Sequence, residues 1–312
     1  MWPNRTPTWT RFARRVRGAK CQVRVGFIRF QEQDRLACET HVWRNEILSL
    51  LSRRNIELMP NTAYPRASKY PNLETIYAQC SGPGGLKLAE FIAEKMQLQS
   101  NKRLLDVGTN RGYQSCFLAK EYGVFVVGID PWPDRDGRRT HIEYLMDNTR
   151  AWGVSELVLG LQVGVPDTRF AENSFDFVYS TTTLEMIRGI DGEESYRQCL
   201  AEIYRVLKPG GVFGLGEPMH LDVDIPDDLA PLVTQGSEAW ADCFATIQET
   251  EAACNSVGFE IEEADYAPDA CLWWEEYAQY DPFCQKDLDG ERRAIQIDNG
   301  RWLSFGYVVG KK

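Results

Sequence analysis

The segment Leu104-Leu105-Asp106-Val107-Gly108-Thr109-Asn110-Arg111-Gly112-Tyr113 has the pattern of an apolar strand that ends in a Gly-containing turn and opens a helix. Glycines at 108 and 112 let the backbone approach a ligand closely, and open α/β sheets bind their ligands at such carboxyl ends. Downstream, Val124-Phe125-Val126-Val127-Gly128-Ile129-Asp130 reads as a second strand ending in an acid. A carboxylate placed there can accept hydrogen bonds from both hydroxyls of a ribose. Each feature alone is equally a tight turn or a surface acid; together they predict a nucleoside site.

Three other segments hold groups with chemical potential. Gly216-Glu217-Pro218-Met219-His220 follows a strand-like run, which makes Glu217 and His220 candidate proton-transfer groups. His220 is one of only three histidines, the others being His41 and His141. Leu272 to Tyr280 is rich in aromatics; as a helix it places Trp273, Tyr277 and Tyr280 on one face, with Trp274 adjacent. Such a face either surrounds a cationic ligand by cation–π contact or belongs to a core or an oligomer contact. Tyr64-Pro65, Tyr70-Pro71 and Tyr77 form either a lid over the nucleoside site or a packed N-terminal arm, and Asp222, Asp224, Asp227 and Asp228 read as a solvated acidic loop.

The elements that must position these residues alternate from Met59 onward between strand-like and helix-like runs, the pattern of parallel strands joined by right-handed helical crossovers. A helix through Leu86, Leu88, Phe91, Ile92 and Met96 leads into a strand at Arg103–Val107. Further strands are predicted at Val124–Ile129, Leu157–Val163, Phe175–Tyr179, Val212–Leu215, Phe259–Glu263 and Trp302–Val309, with a helix near Ser237–Val257. Seven strands in this order predict a doubly wound, Rossmann-like, mostly parallel sheet, with cap elements in 217–240 and in 265–298, before the last strand.

The chain has 312 residues and a net charge of −10. Residues 1–58 hold eleven Arg and one Lys against five acids, or +7, which leaves −17 for residues 59–312. The basic leader reads as a transit segment, a surface arm or upstream sequence from an early start codon, and is set apart from the fold. An acidic body repels phosphate backbones, which argues against a nucleic-acid partner and suits small cationic or zwitterionic ones. No apolar run approaches the length that crosses a bilayer, and the sequence shows no secretory signal pattern, so neither membrane nor export is expected. Nine scattered cysteines without zinc spacing predict no metal site and fit a reducing cytoplasm. Homo-oligomer formation stays open.

The turn and second-strand acid together resemble the class I S-adenosylmethionine-dependent methyltransferases, small-molecule branch, over roughly Gly84 to Leu215. Asn173-Ser174-Phe175-Asp176-Phe177-Val178 resembles that family's fourth strand, Thr183-Leu184-Glu185-Met186-Ile187 the loop and helix after it, and Leu200 to Gly211 the next helix, tight turn and strand entry. The resemblance implies S-adenosyl-L-methionine as cofactor. It assigns Asp106, Gly108, Thr109, Asn110, Gly112 and Ser180 to its pocket, Asp130 to its ribose, and the Val165 backbone N–H to its adenine. Glu185 then falls on the substrate side with Trp273, Trp274 and Tyr277. Two positions depart from the family pattern: the usual middle glycine is Asn110, which tolerates left-handed backbone better than most residues, and the usual adenine-binding acid aligns with Gly164, leaving only Asp167 nearby. A nicotinamide-dependent dehydrogenase would need glycines at 108, 110 and 113; Asn110 and Tyr113 fail that test. A non-catalytic cofactor-binding protein remains as an alternative.

Methyl transfer is an in-line displacement that mainly needs alignment and exclusion of water. An amine or thioether acceptor already has its lone pair, whereas oxygen or carbon must first lose a proton to a positioned group. The acidic body and the aromatic segment favour an amine or thioether, such as an amino-acid-like metabolite. A quinone, polyketide or phenolic acceptor, with Glu217 or His220 as base, is the alternative.

Overall fold

The computed structural model describes residues 63–134, 137–236 and 238–312; the basic leader 1–58 lies outside them. Helices α1 (Leu73–Gln79) and α2 (Gly85–Lys95) precede a seven-stranded sheet, β1 (Arg103–Val107), β2 (Phe125–Ile129), β3 (Val158–Leu161), β4 (Phe175–Thr181), β5 (Leu207–His220), β6 (Glu260–Tyr266) and β7 (Leu303–Lys311). Its order is β3-β2-β1-β4-β5-β7-β6. The first five strands are mutually parallel, and β7 runs antiparallel to both of its neighbours. The crossovers are α3 (Tyr113–Tyr122), α4 (His141–Trp152), then α5 (Leu184–Asp191) with α6 (Glu193–Val206). Short helices α7 (Ala230–Val233) and α8 (Trp240–Cys243) precede α9 (Ile247–Ser256), while α10 (Ala270–Tyr280) and α11 (Glu291–Asp298) fill the connection before β7. This is the predicted doubly wound sheet.

Alternation along the strands sends their side chains to opposite faces. Leu104 of β1 joins a core with α2 and α3 through Leu88, Ile92 and Phe117, whereas Leu105 and Val107 join Tyr196, Leu200 and Ile203 of α6. A third cluster, with Trp274, Ala294 and Trp302 at its centre, packs α7, α8, α10 and α11 together. The chain reverses its winding between β1 and β4, so the crevice at their carboxyl ends is the topological switch point where open α/β sheets take ligands.

Most strand ends shift by one to three residues from the sequence reading, and two differences are larger. Strand β5 starts at Leu207, not Val212, because Lys208-Pro209-Gly210-Gly211 is taken up in a register shift against β4 and bonds to the end of β7 through Lys312. It continues to His220 because β7 pairs with it as far as Leu303, although β4 stops at Gly216; Pro218 is tolerated where that side has no strand left to bond. The helix expected near Ser237–Val257 is two, α8 and α9, separated at Phe244–Thr246, where Thr246 and Glu249 form a capping box that restarts the helix.

Candidate active site

The turn after β1 is built as its residue types require. Gly108 has φ +75° and Gly112 φ +69°, and Asn110, in the place of the family's middle glycine, adopts φ 50°. A Cβ on Gly108 would lie 2.1 Å from Thr183 Oγ1, so only glycine lets the loop after β4 pass this close. Asp106 is buried at the end of β1 and accepts a 2.5 Å hydrogen bond from Ser115 Oγ. Burial pushes its carboxyl up to about 6, against the opposing effect of bonds from Ser115 and Thr109. The Thr109 hydroxyl is itself within 2.8 Å of Ser115 Oγ. Asp106 therefore organises the turn from beneath.

A pocket opens directly over this turn, lined by Gly108, Thr109, Asn110, Tyr113, Gln114, Thr181, Thr182 and the segment Gln79–Ser81. Gln114 ties its walls together: its amide donates to Gly85 O at 2.8 Å, and its Oε1 accepts from Thr181 and Tyr179 at 2.9 and 3.1 Å. The sequence reading stopped at Tyr113 and missed Gln114; its position one residue into the helix after the turn was the available signal.

Asp130 stands beside this pocket at the end of β2, buried. Its Oδ2 accepts the backbone N–H of Asn110 at 2.9 Å and its Oδ1 that of Trp132 at 3.0 Å. A carboxylate offers about four lone-pair positions, which leaves one on each oxygen for a vicinal diol. The Nδ1 atom of His141 lies 3.0 Å from Oδ1 but without hydrogen-bond alignment. A nucleoside thus fits the residues present: a turn that only glycine permits, and a carboxylate with capacity for two hydroxyl donors.

Other assigned residues lie elsewhere. Ser180 is buried and spends its hydroxyl on Val107 O at 3.1 Å, holding β4 to β1 rather than lining the pocket. Val165 is half-buried against the α6-side core. Asp167 is exposed and paired with Arg169 at 3.3 Å, so it is no substitute for the missing adenine-binding acid. Of the lid tyrosines, Tyr64 bonds Asp269 at 2.7 Å, Tyr70 bonds Glu121 at 2.7 Å, and Tyr77 is buried against Tyr277 and Tyr280. None is a free flap; the residues just after Tyr77 supply the pocket wall.

The aromatic box is corrected by the structure. Trp273 is wholly buried among Tyr64, Phe91 and Phe305, and Trp274 is buried with its Nε1 donating to Ser304 O at 2.9 Å. Trp273 presents no ring face to a ligand, and Trp274 borders a different cavity from the one over the turn, with Cys271, Glu275 and Asn299. Tyr277 is half-buried against Tyr77 and Trp274. Helical spacing put these rings on one face, and long-range partners turned that face inward.

Glu217 and His220 are also not a pair. Three residues apart on one strand, they project to opposite faces of the sheet. His220 stacks on Trp302 at 4.9 Å with Nδ1 2.8 Å from Leu221 O. Glu217 enters the other layer, wholly buried, where it accepts a 3.1 Å bond from Tyr196 and lies 3.9 Å from Arg188. Glu185, in the first turn of α5, is buried in the same cluster. The structure therefore unites Glu185 with Glu217 and leaves His220 out. No metal-ligand cluster occurs among the described residues, and no helix among them is long and apolar enough to cross a membrane.

Comparison with known proteins agrees with this fold. Residues 105–215 match the family model described as a methyltransferase domain. Among curated relatives, a sterol 24-C-methyltransferase of Gibberella zeae is 28% identical over 195 residues, covering 59% of this chain and 47% of the relative. That of Pneumocystis carinii is 29% identical over 234 residues, covering 70% and 56%. The chain spans about half the length of the curated relatives it matches. Among solved structures, the [4+2]-cyclase SpnF superposes with a TM-score of 0.61 at 17% identity, covering 80% of this chain and 94% of that one. Phosphoethanolamine N-methyltransferase 2 of Haemonchus contortus, solved with S-adenosyl-L-methionine, gives 0.61 at 17% identity, covering 82% and 60%. At that identity these structures share the fold.

Proposed function

We propose, from the premise that this chain carries a class I S-adenosylmethionine-dependent methyltransferase domain, that the protein transfers a methyl group from S-adenosyl-L-methionine to a small-molecule acceptor. The observation that carries the reading is Asp130, whose two oxygens are fixed by the backbone of Asn110, a pocket-lining residue, and of Trp132, with acceptor capacity to spare on the carboxylate. The Gly108–Asn110 turn, Thr181–Thr182 and the Gln79–Ser81 wall would enclose the rest of the cofactor, which supplies a methyl carbon already activated by a sulfonium charge. The residues themselves bind, orient and exclude water. The acceptor enters at the carboxyl ends of β4 and β5, beside Thr181–Thr183.

The aromatic cap that favoured an amine or thioether acceptor no longer supports it, because Trp273 is a core residue and Trp274 borders a cavity that shares no residue with the one over the turn. The relatives named as sterol C-methyltransferases and the neighbours named as N-methyltransferases act on different atoms, so the acceptor atom has to be argued from the acid groups of this chain.

Calorimetric titration of the full chain with S-adenosylmethionine and S-adenosylhomocysteine tests the proposal. Binding is expected, and Asp130→Ala should weaken it by at least about 10- to 100-fold, the worth of one of the two charge-assisted hydrogen bonds it can accept. Well-folded protein that binds neither ligand would overturn it.

A further inference from the structure

Four buried polar atoms in one cluster have no hydrogen-bond partner: Oε2 of Glu185, Oε1 of Glu217 and both terminal nitrogens of Arg188. Buried polar groups are nearly always satisfied, so such a cluster calls for a ligand or water. The ionisable groups facing it are few. They are Glu185 and Arg188 on α5, Glu193 and Tyr196 on α6, Glu217 on β5, Cys243 on α8, and Glu249 and Cys254 on α9. Arg188 is shared: its Nε donates to Glu193 at 3.0 Å and its guanidinium stacks on Tyr196 at 3.6 Å, leaving 3.9 Å to Glu217.

Two buried carboxyls therefore share part of one cation. Burial drives both upward; Glu185, repelled further by Glu217, goes well above the usual carboxyl range. Glu217, held down by Arg188, Tyr196 and the Glu185 backbone N–H, reaches about 7. Like-charged carboxyls in one site cannot both ionise readily. The cluster and the pocket share the carboxyl edge of the sheet: Thr181 and Thr182 line the pocket, Thr183 lies against Gly108, Glu185 follows two residues on, and Glu217 follows Gly216, the β5 partner of Thr181.

We propose that Glu217 is the proton acceptor of the methyl-acceptor site, with Glu185 kept protonated beside it, and that the substrate is therefore a hydroxyl or an acidic carbon rather than an amine or thioether. This rests on the methyltransferase reading above. The acceptor reaches the cluster past Thr181–Thr183. Its proton passes to Oε1 of Glu217, and the bonding pair left behind forms the bond to the methyl carbon as the methyl–sulfur bond breaks with its pair on sulfur. Glu217 then releases the proton to water. Arg188 and Tyr196 are positioning residues that keep Glu217 ionised.

The test starts without substrate. Infrared titration of the carboxyl C=O band over about pH 5 to 9 should show, beside Asp106 at about 6, two further buried acids in the full chain. One is protonated well above the usual carboxyl range and disappears in Glu185→Gln; the other titrates near 7 and disappears in Glu217→Gln. Turnover is then screened on phenols and acidic-carbon compounds against amines and thioethers. The first group should react, with a rate that rises through the Glu217 titration and drops about 10²- to 10⁴-fold in Glu217→Gln. With the Asp106 band near 6 removed by Asp106→Asn, a spectrum with no acid titrating near 7 overturns the proposal even if neither glutamate variant folds, as does turnover of amines that survives Glu217→Gln. Calorimetry with S-adenosylhomocysteine separates the two ideas. Binding without the infrared bands refutes only this proposal, and the bands without binding refute the methyltransferase reading.

Discussion

Gly108→Ala is the sharpest perturbation of the cofactor turn. The added Cβ would lie 2.1 Å from Thr183 Oγ1, 2.3 Å from Cγ2 and 2.7 Å from Cβ, and the backbone there has φ +75°. Thr183 cannot rotate aside freely, because its hydroxyl donates to Thr181 O at 2.9 Å. A left-handed L-residue costs about 1–2 kcal/mol, and forced overpacking adds about 1–3 kcal/mol. Together they come to about 2–5 kcal/mol, a large share of a typical total of about 5–15 kcal/mol. Urea unfolding followed by tryptophan fluorescence measures the loss, and nucleoside binding should fall with it as the turn shifts. Adding Thr183→Gly removes all three contacting atoms but leaves the strain, so the double variant should recover only the overpacking part, as a positive coupling in a double-mutant cycle. An unchanged midpoint for Gly108→Ala, or no coupling with Thr183→Gly, would refute the reasoning.

Two further outcomes follow from buried groups. Trp273→Ala should cost about 3–5 kcal/mol through the cavity it leaves, seen in thermal melts, while any surviving folded protein keeps its KM for the acceptor; a selective rise in that KM would restore the aromatic-box reading. The Asp106 carboxyl sits at about 6 in the folded chain against 3.8 when unperturbed. The native state thus holds a proton that the unfolded state has released between those values, and this contribution to stability is lost as pH rises through about 6. The difference between wild type and Asp106→Asn in unfolding free energy, from urea titrations, should change across that window by about 3 kcal/mol; a difference constant with pH would contradict it.

The parts of the site that were legible in the sequence are those fixed by local chemistry. Gly108 and Gly112 at the end of an apolar run, and Asp130 at the end of the next, announce themselves because only certain residues serve there. The strand alternation carried the sheet for the same reason. What failed depended on distant partners. Trp273 and Trp274 have the spacing of a binding face, but Tyr64, Phe91, Phe305 and Ser304 decide where they point. Glu217 and His220 looked like one loop because Gly216 and Pro218 suggest a strand end, whereas β7 pairing carries the strand through them and parity separates them. Gln114 is an ordinary helical residue until Gly85, Tyr179 and Thr181 arrive around it.

The pocket wall at Gln79–Ser81 follows helix α1, and that helix is fastened to the far end of the chain. Tyr77 bonds Glu276 and Tyr64 bonds Asp269, across 199 and 205 positions, and Lys87 is ion-paired with Glu276. Contacts of such separation carry the largest loop-closure cost and form late in folding. On a ribosome that emits the chain from its N-terminus, the turn at Gly108 is made long before α10 exists to brace the wall beside it. The wall beside the turn therefore depends on residues 269–280, which are made last of all the segments around it.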